Sequence, residues 1–224
     1  MVLLQAVKTK NMKFKCIIFD CDGVLVDSEA ISAKIFQEMA SKLGSKLDFE
    51  TVLKQITGTS MTENLKFFSE KINGKLPEDF EAEFRKRSYE AFKTELKPIK
   101  GIHELLEKIN VPVGVASSGP VEKIKLNLTT TNLIDYFDSN IFSCYEIGSW
   151  KPEPEIYLHA AKKMGFQPVE CAVIEDSLAG VQSAKAGGFN VFGFAHGKNK
   201  NTFEELGATV FSEMQELGKL LDLD

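Results

Sequence analysis

The stretch KFKCIIFDCDGVLVDSEA, residues 13–30, carries an apolar tetrad that stops abruptly at an acid, Asp20. Asp22 follows two positions later, then Gly23, and a third acid stands at Asp27. A short apolar run without alternation reads as a strand covered on both faces, so these carboxylates are aimed from the tip of a buried strand. Like charges held close repel, and such an arrangement needs a cation, a proton or a substrate.

Working outward, four more apolar runs punctuate the chain: VGVA (113–116), AVIE (172–175), VFGF (191–194) and TVF (209–211). Helix-like stretches at 121–130, 154–164 and 177–188 lie between the later runs. The second opens behind Pro152 and Pro154 and stops at Gly165, and the third has Asp176 or Ser177 at its cap and a glycine pair at its end. Strand and helix in alternation predict an α/β fold, a doubly wound Rossmann-like parallel sheet.

Residues 30–96 break that rhythm. Ile31, Ile35, Met39 and Leu43 make one apolar helical stripe closed by Gly44; Leu65, Phe68 and Ile72 make another. Phe80, Phe84, Phe92 and Leu96 mark a longer helix behind Pro77, whose phenylalanines are read as core between helices. The expected organisation is an all-helical cap subdomain at 30–96 inserted into a core made of 12–29 and 97–224, with the sheet resuming near Pro98. Residues 1–11 are expected to be an N-terminal extension, with Met12 as an alternative start.

The bulk composition narrows the function classes. A chain of 224 residues can bury a substantial core, and 43% hydrophobic with 26% charged residues is ordinary for a soluble globular protein. A formal net charge of -5 without a basic block argues against nucleic acid and against an anionic membrane surface. No apolar stretch approaches the roughly 20 residues that span a bilayer. The N-terminus has only a short apolar patch and no small-residue cleavage pattern, so it is not read as a signal peptide. The four cysteines are scattered; Cys16 and Cys171 sit in apolar runs and are expected to be buried, reduced thiols. The three histidines share no ligand spacing with them, which argues against zinc: His103 reads as a helix-surface residue and His196 as a loop residue. These features place the protein in the cytoplasm, as a monomer or weak homodimer.

Open α/β sheets bind ligands at the carboxyl ends of their strands. Asp20 and Asp22 follow the first run, Ser117 follows VGVA, and Glu175 and Asp176 end AVIE. Four acids on one rim need a counter-charge. Mg²⁺ suits them, because it is a hard cation that takes carboxylate and carbonyl oxygens and keeps open positions for water and a phosphate oxygen. Asp27, near the first helix start, is read as a cap or turn residue.

The stretch FDCDGVLVDSE resembles the first signature of the haloacid dehalogenase-like hydrolases. VASSG is similar to their second, WKPEPEIY to their third and VIEDSLAGVQSAKAGG to their fourth, in order and across all the sheet-forming parts. The resemblance implies a phosphoryl-transfer site. Asp20 is then the nucleophile that forms an aspartyl-phosphate, and Asp22 is the general acid and then base. Mg²⁺ is held by Asp20, the Asp22 carbonyl and Asp176, with Glu175 close or acting through water. Ser117, the backbone N–H groups after it and Lys151 receive the phosphoryl oxygens, with Ser118 as a competing side-chain contact.

The helical insertion is similar to that of the subgroup containing β-phosphoglucomutase and small sugar-phosphate phosphatases. The mutase places a histidine in the first cap helix and an arginine after a G-x-S turn; the matching positions here are Ser32 and Met61. Neither is a cation, so hydrolysis of a small phosphorylated sugar or sugar acid is expected, with phosphomutase chemistry as the alternative. Thr59, Ser60, Glu63 and Asn64 are candidate substrate-reading residues, or simply a polar turn opening a helix. Retention of Asp22 argues against haloalkanoate dehalogenation, and no cap lysine stands out as a Schiff base. An inactive phosphometabolite-binding module is the non-enzyme alternative.

Overall fold

The structure, a computed structural model, describes residues 13–57, 59–72, 75–137, 139–195 and 199–223. The 1–11 extension and His196 lie outside the described residues. Six strands form one parallel sheet: β1 (Cys16–Phe19), β2 (Val113–Ser117), β3 (Ile141–Ser143), β4 (Cys171–Glu175), β5 (Asn190–Phe194) and β6 (Thr209–Phe211). Their spatial order is β3-β2-β1-β4-β5-β6, so the direction of winding reverses between β1 and β4. Phe19 pairs with Val115 on one side and Ile174 on the other, which sets three strand tips level along one rim.

The pleat explains why β1 reads as continuous apolar sequence. Ile17 and Phe19 enter a cluster on one face with Val115, Ile174, Phe192 and Leu105, while Cys16 and Ile18 enter a second on the other with Val173, Tyr157 and Val181. All four cysteines are buried and unpaired.

Between β1 and β2 come four helices: α1 (Glu29–Lys42), α2 (Phe49–Ile56), α3 (Met61–Lys71) and α4 (Phe80–Glu95). They share a core of their own, centred on Phe36. Its ring lies 4.6 Å from Phe68, 5.7 Å from Phe80 and 4.1 Å from Phe84. Helix α2 has no counterpart among the sequence stripes. It has only eight residues with Val52 alone buried, and it starts where the Asp48 side chain accepts from Thr51 N at 2.8 Å. The phenylalanine stripe divides: Phe80 and Phe84 stay among these helices, whereas Phe92 and Leu96 join the sheet's own cluster. Helix α4 thereby ties the two cores together.

The remaining helices are α5 (Ile102–Lys108), α6 (Val121–Thr130), α7 (Ile134–Phe137), α8 (Cys144–Ile147), α9 (Glu155–Met164), α10 (Leu178–Ala186), α11 (Lys200–Glu205) and α12 (Met214–Leu220). Some sequence expectations change here. The sheet resumes at Val113 rather than near Pro98, because α5 intervenes. A sixth strand, β3, escaped detection as a three-residue edge piece. Asp27 caps nothing by its side chain: Ser28 takes the N-cap position of α1, and Asp27 N donates to Lys97 O at 2.9 Å. His103 is half-buried, with Nε2 3.0 Å from Thr131 O.

Replacing Phe36 by alanine removes the ring that three others pack on, and large core truncations of this kind cost about 3–5 kcal/mol. Equilibrium urea unfolding of Phe36→Ala will show a loss of that order if these helices unfold together with the sheet.

Candidate active site

Asp20 is the residue after β1, and its N–H donates to Ile174 O at 2.9 Å, extending the ladder one step past the strand. The chain then turns, with Leu25 N and Val26 N both donating to Cys21 O. Gly23 sits at φ +78°, and a Cβ there would lie 2.0 Å from Asp176 Oδ2, so only glycine lets the turn and the β4 tip approach this closely. Gly180 on α10 plays the same part for Glu175, where a Cβ would fall 1.7 Å from Oε1.

Asp20, Glu175 and Asp176 each offer a carboxylate oxygen within 4.8 Å of the others, and all three residues are buried or nearly so. Lys151, whose side chain is 5% exposed, bridges two of them: Nζ donates to Asp20 Oδ1 at 2.7 Å and to Glu175 Oε1 at 2.5 Å. Glu175 is saturated. Its Oε1 also accepts from Tyr157 OH at 2.6 Å, and its Oε2 accepts from Asp176 N, Ser177 N and Ser177 Oγ, each at 3.0 Å. Burial alone would raise the Glu175 carboxyl, but the Lys151 charge and these donors hold it below the usual carboxylate range. Asp20 behaves oppositely: burial, reinforced by the Glu175 and Asp22 charges and only partly offset by Lys151, pushes it up to about 7. Asp176 is raised well above the usual range by burial and then by the charges of Glu175, Asp20 and Glu29.

Asp22 does not join this cluster. Its Oδ2 accepts from Lys123 Nζ at 2.6 Å; its Oδ1 accepts from Ser28 Oγ and from Asn127 Nδ2 at 3.3 Å. Burial works to raise this carboxyl, yet the Lys123 charge and the Lys123 and Ser28 hydrogen bonds hold it low. The four acids thus form two sets, three around Lys151 and one on Lys123.

Ser117 ends β2, and its Oγ accepts from Gly119 N at 3.1 Å, while Ser143 Oγ donates to Gly119 O at 2.7 Å and fixes the turn into α6. Ser118 Oγ lies 3.9 Å from Cys144 Sγ. Beside this turn, Trp150 packs edge-on against Tyr145 at 5.4 Å, and Arg85 of α4 donates to Tyr145 OH at 2.6 Å. The four candidate reading residues are engaged locally. Ser60 and Glu63 close a capping box on α3, and Thr59 Oγ1 donates to Gln55 O at 2.6 Å and lies 2.9 Å from Asn64 Oδ1.

Sequence reasoning missed Lys123, Asn127, Ser28 and Tyr157. The signal for two of them was present: Lys123 and Asn127 stand four apart on α6, so they share a face directly after the VASSG turn.

The donor set fits a hard divalent cation. With all three carboxylates ionised, the single Lys151 ammonium leaves a net charge of −2, and the ligand atoms the trio offers are all carboxylate oxygens.

Residues 14–188 match the haloacid dehalogenase-like hydrolase family. The chain is 34% identical over 210 residues to the 6-phosphogluconate phosphatase of Escherichia coli, covering 93% of this chain and 95% of that one. It is 30% identical over 216 residues to the phosphorylated carbohydrates phosphatase of Thermotoga maritima, covering 92% and 98%. Among solved structures, a conserved haloacid dehalogenase-like protein from Agrobacterium tumefaciens superposes with a TM-score of 0.82 at 29% identity, over 93% of this chain and 98% of that one.

The raised Asp20 and Asp176 carboxyls set a pH dependence for the metal-free protein. A carboxyl whose folded pKa exceeds its unfolded value of 3.8 stabilises the fold in its protonated form, and that contribution fades as pH rises towards about 7. In EDTA the melting temperature will therefore fall between pH 5.5 and pH 7.5, and saturating Mg²⁺ will flatten the difference. A melting temperature in EDTA that rises across this interval would contradict the crowded-acid description.

Proposed function

Because the chain belongs to the haloacid dehalogenase-like hydrolases, we propose that it is a Mg²⁺-dependent phosphatase working through an aspartyl-phosphate on Asp20. The observation that carries this reading is the buried trio of carboxylates at the sheet's switch point, bridged by a lysine too poor in charge to neutralise them. Asp20, the Asp22 carbonyl and Asp176 would hold Mg²⁺, which when bound offsets the charge of the transferring phosphoryl group. Glu175 already accepts five hydrogen bonds, which suits it to orienting Lys151 and the Asp176 backbone, and to meeting the ion through water.

In the first half-reaction an Asp20 oxygen bonds to phosphorus as the ester P–O bond breaks, and Asp22, ionised at rest beside Lys123, takes up a proton from solvent and passes it to the departing alcohol. In the second, water attacks the phosphorus of the aspartyl-phosphate while Asp22 takes the water's proton. The Asp20–phosphorus bond then breaks, and inorganic phosphate and the free carboxylate are regenerated. Lys151, Ser117 and the N–H groups of the Ser118–Gly119 turn receive the equatorial oxygens, with Ser118 Oγ as a further contact. Helices within 30–96 act as the cap that excludes bulk water and reads the leaving group.

The substrate is a small phosphorylated sugar or sugar acid. The names of the two curated relatives support that class, as does the lack of a cation at Ser32 and Met61 to anchor a second phosphate. Four buried, unpaired cysteines suit a reducing compartment such as the cytoplasm, and among the described residues no helix is long and apolar enough to cross a membrane. A monomer or weak homodimer suffices, since every proposed site residue comes from one chain.

Asp20→Asn will lower p-nitrophenyl phosphate turnover by at least about 10³-fold, as loss of a covalent nucleophile requires. EDTA will silence the wild type until Mg²⁺ is restored. Turnover that survives either treatment rejects the mechanism, and binding of phosphorylated sugars without turnover would favour the inactive module. Separately, β-glucose 1-phosphate will release inorganic phosphate; its efficient conversion to glucose 6-phosphate would reinstate the mutase reading.

A further inference from the structure

Outside the acid trio, the structure holds a second, half-buried ion pair, whose lysine the reaction as written does not use. Lys123 projects from α6, its side chain only 20% exposed, with Nζ 2.6 Å from Asp22 Oδ2. The same ammonium lies 5.8 Å from the Phe92 ring centroid, so it is held between the core helix α6 and the helix α4 that ends the insertion. Ser28, at the head of α1, and Asn127, one turn beyond Lys123, hold the other Asp22 oxygen. Two elements, α1 and α6, thus spend three polar groups on one carboxylate, which stands outside the trio of Asp20, Glu175 and Asp176.

Resting on the phosphatase reading, we propose that Lys123 is a positioning residue that keeps the Asp22 carboxylate out of the metal cluster and on the leaving-group side of Asp20. Two physical consequences follow. A fourth carboxylate released beside the trio would be drawn to the divalent ion and lost to proton transfer. Asp22, ionised at rest, must take up a proton before it can serve the leaving oxygen; as it gives that proton it becomes negative again, and the ammonium in contact with it stabilises the returning charge. An aryl leaving group departs as a stable phenolate and asks little of this acid; a sugar alkoxide depends on it.

The demand made by the leaving group is therefore the readout. Single-turnover phosphorylation of excess enzyme is followed with p-nitrophenyl phosphate and with a hexitol 6-phosphate, both with saturating Mg²⁺. Lys123→Met will slow the alkyl ester by ~100-fold and the aryl ester by less than about threefold, in line with the usual contribution of general acid catalysis. Lys123→Arg, which keeps the charge and the donor, will recover most of the loss. Asp22→Asn will show the same leaving-group pattern, and adding Lys123→Met to it will slow the reaction no further. Equal slowing of both esters by Lys123→Met, or additive losses in the double variant, overturns the inference while leaving the phosphatase reading intact. If Asp22→Asn lacks the pattern, the acid assignment of Asp22 fails, and this inference with it. Should Lys123→Met not fold because it strands a buried carboxylate, the double variant removes both charges, and its comparison with Asp22→Asn decides the question.

Discussion

The ammonium of Lys151, set between Asp20 and Glu175 across the junction of β1 and β4, is the interaction around which the site is assembled. Burying like charges beside one another is costly, and the cost falls only when a counter-charge lies in contact and the remaining lone pairs find donors. Glu175 meets that condition completely, with a lysine, a tyrosine hydroxyl, two backbone N–H groups and a serine. Asp20 and Asp176 do not, and their carboxyls stay raised. The residual negative charge is where a divalent cation fits.

The parallel sheet brings these groups to one place. With the order β3-β2-β1-β4-β5-β6, the winding reverses between the two strands that carry the acids, so no crossover helix blocks their tips. Two glycines make the approach close enough: Gly23 lets the turn after β1 lie on Asp176, and Gly180 lets α10 lie on Glu175. The inserted helices have their own aromatic core around Phe36 but do not stand free, since Phe92 and Leu96 at the end of α4 are built into the sheet's core.

Two lysines divide four acids. Lys151 belongs to the trio of Asp20, Glu175 and Asp176; Lys123 belongs to Asp22 alone. Asp20 and Asp22 are two residues apart, yet the turn after β1 sends their side chains to different partners. One strand tip therefore presents two carboxylates that do not share a lysine.

The sequence determined much of this by itself. Apolar runs of four residues ending in Asp20 and Glu175, and one ending beside Ser117, marked the sheet and its functional rim, because a fully covered parallel strand leaves a continuous apolar trace and a polar stop. Helical stripes marked three of the four inserted helices, because each buries several residues at one period. Tertiary structure alone decided the rest. Strand β3 is too short to print a pattern, and helix α2, with a stripe of Phe49, Val52, Leu53 and Ile56, is only eight residues long. Ser60 and Glu63 close a capping box on α3, a pairing that spacing alone could not settle. The partners of Asp22 come from α1 and α6, one of them about a hundred residues away in the chain, and Tyr157 reaches Glu175 from α9. Composition and period record how a segment meets the core. Which carboxylate meets which cation depends on how separate segments pack, and no local pattern encodes that.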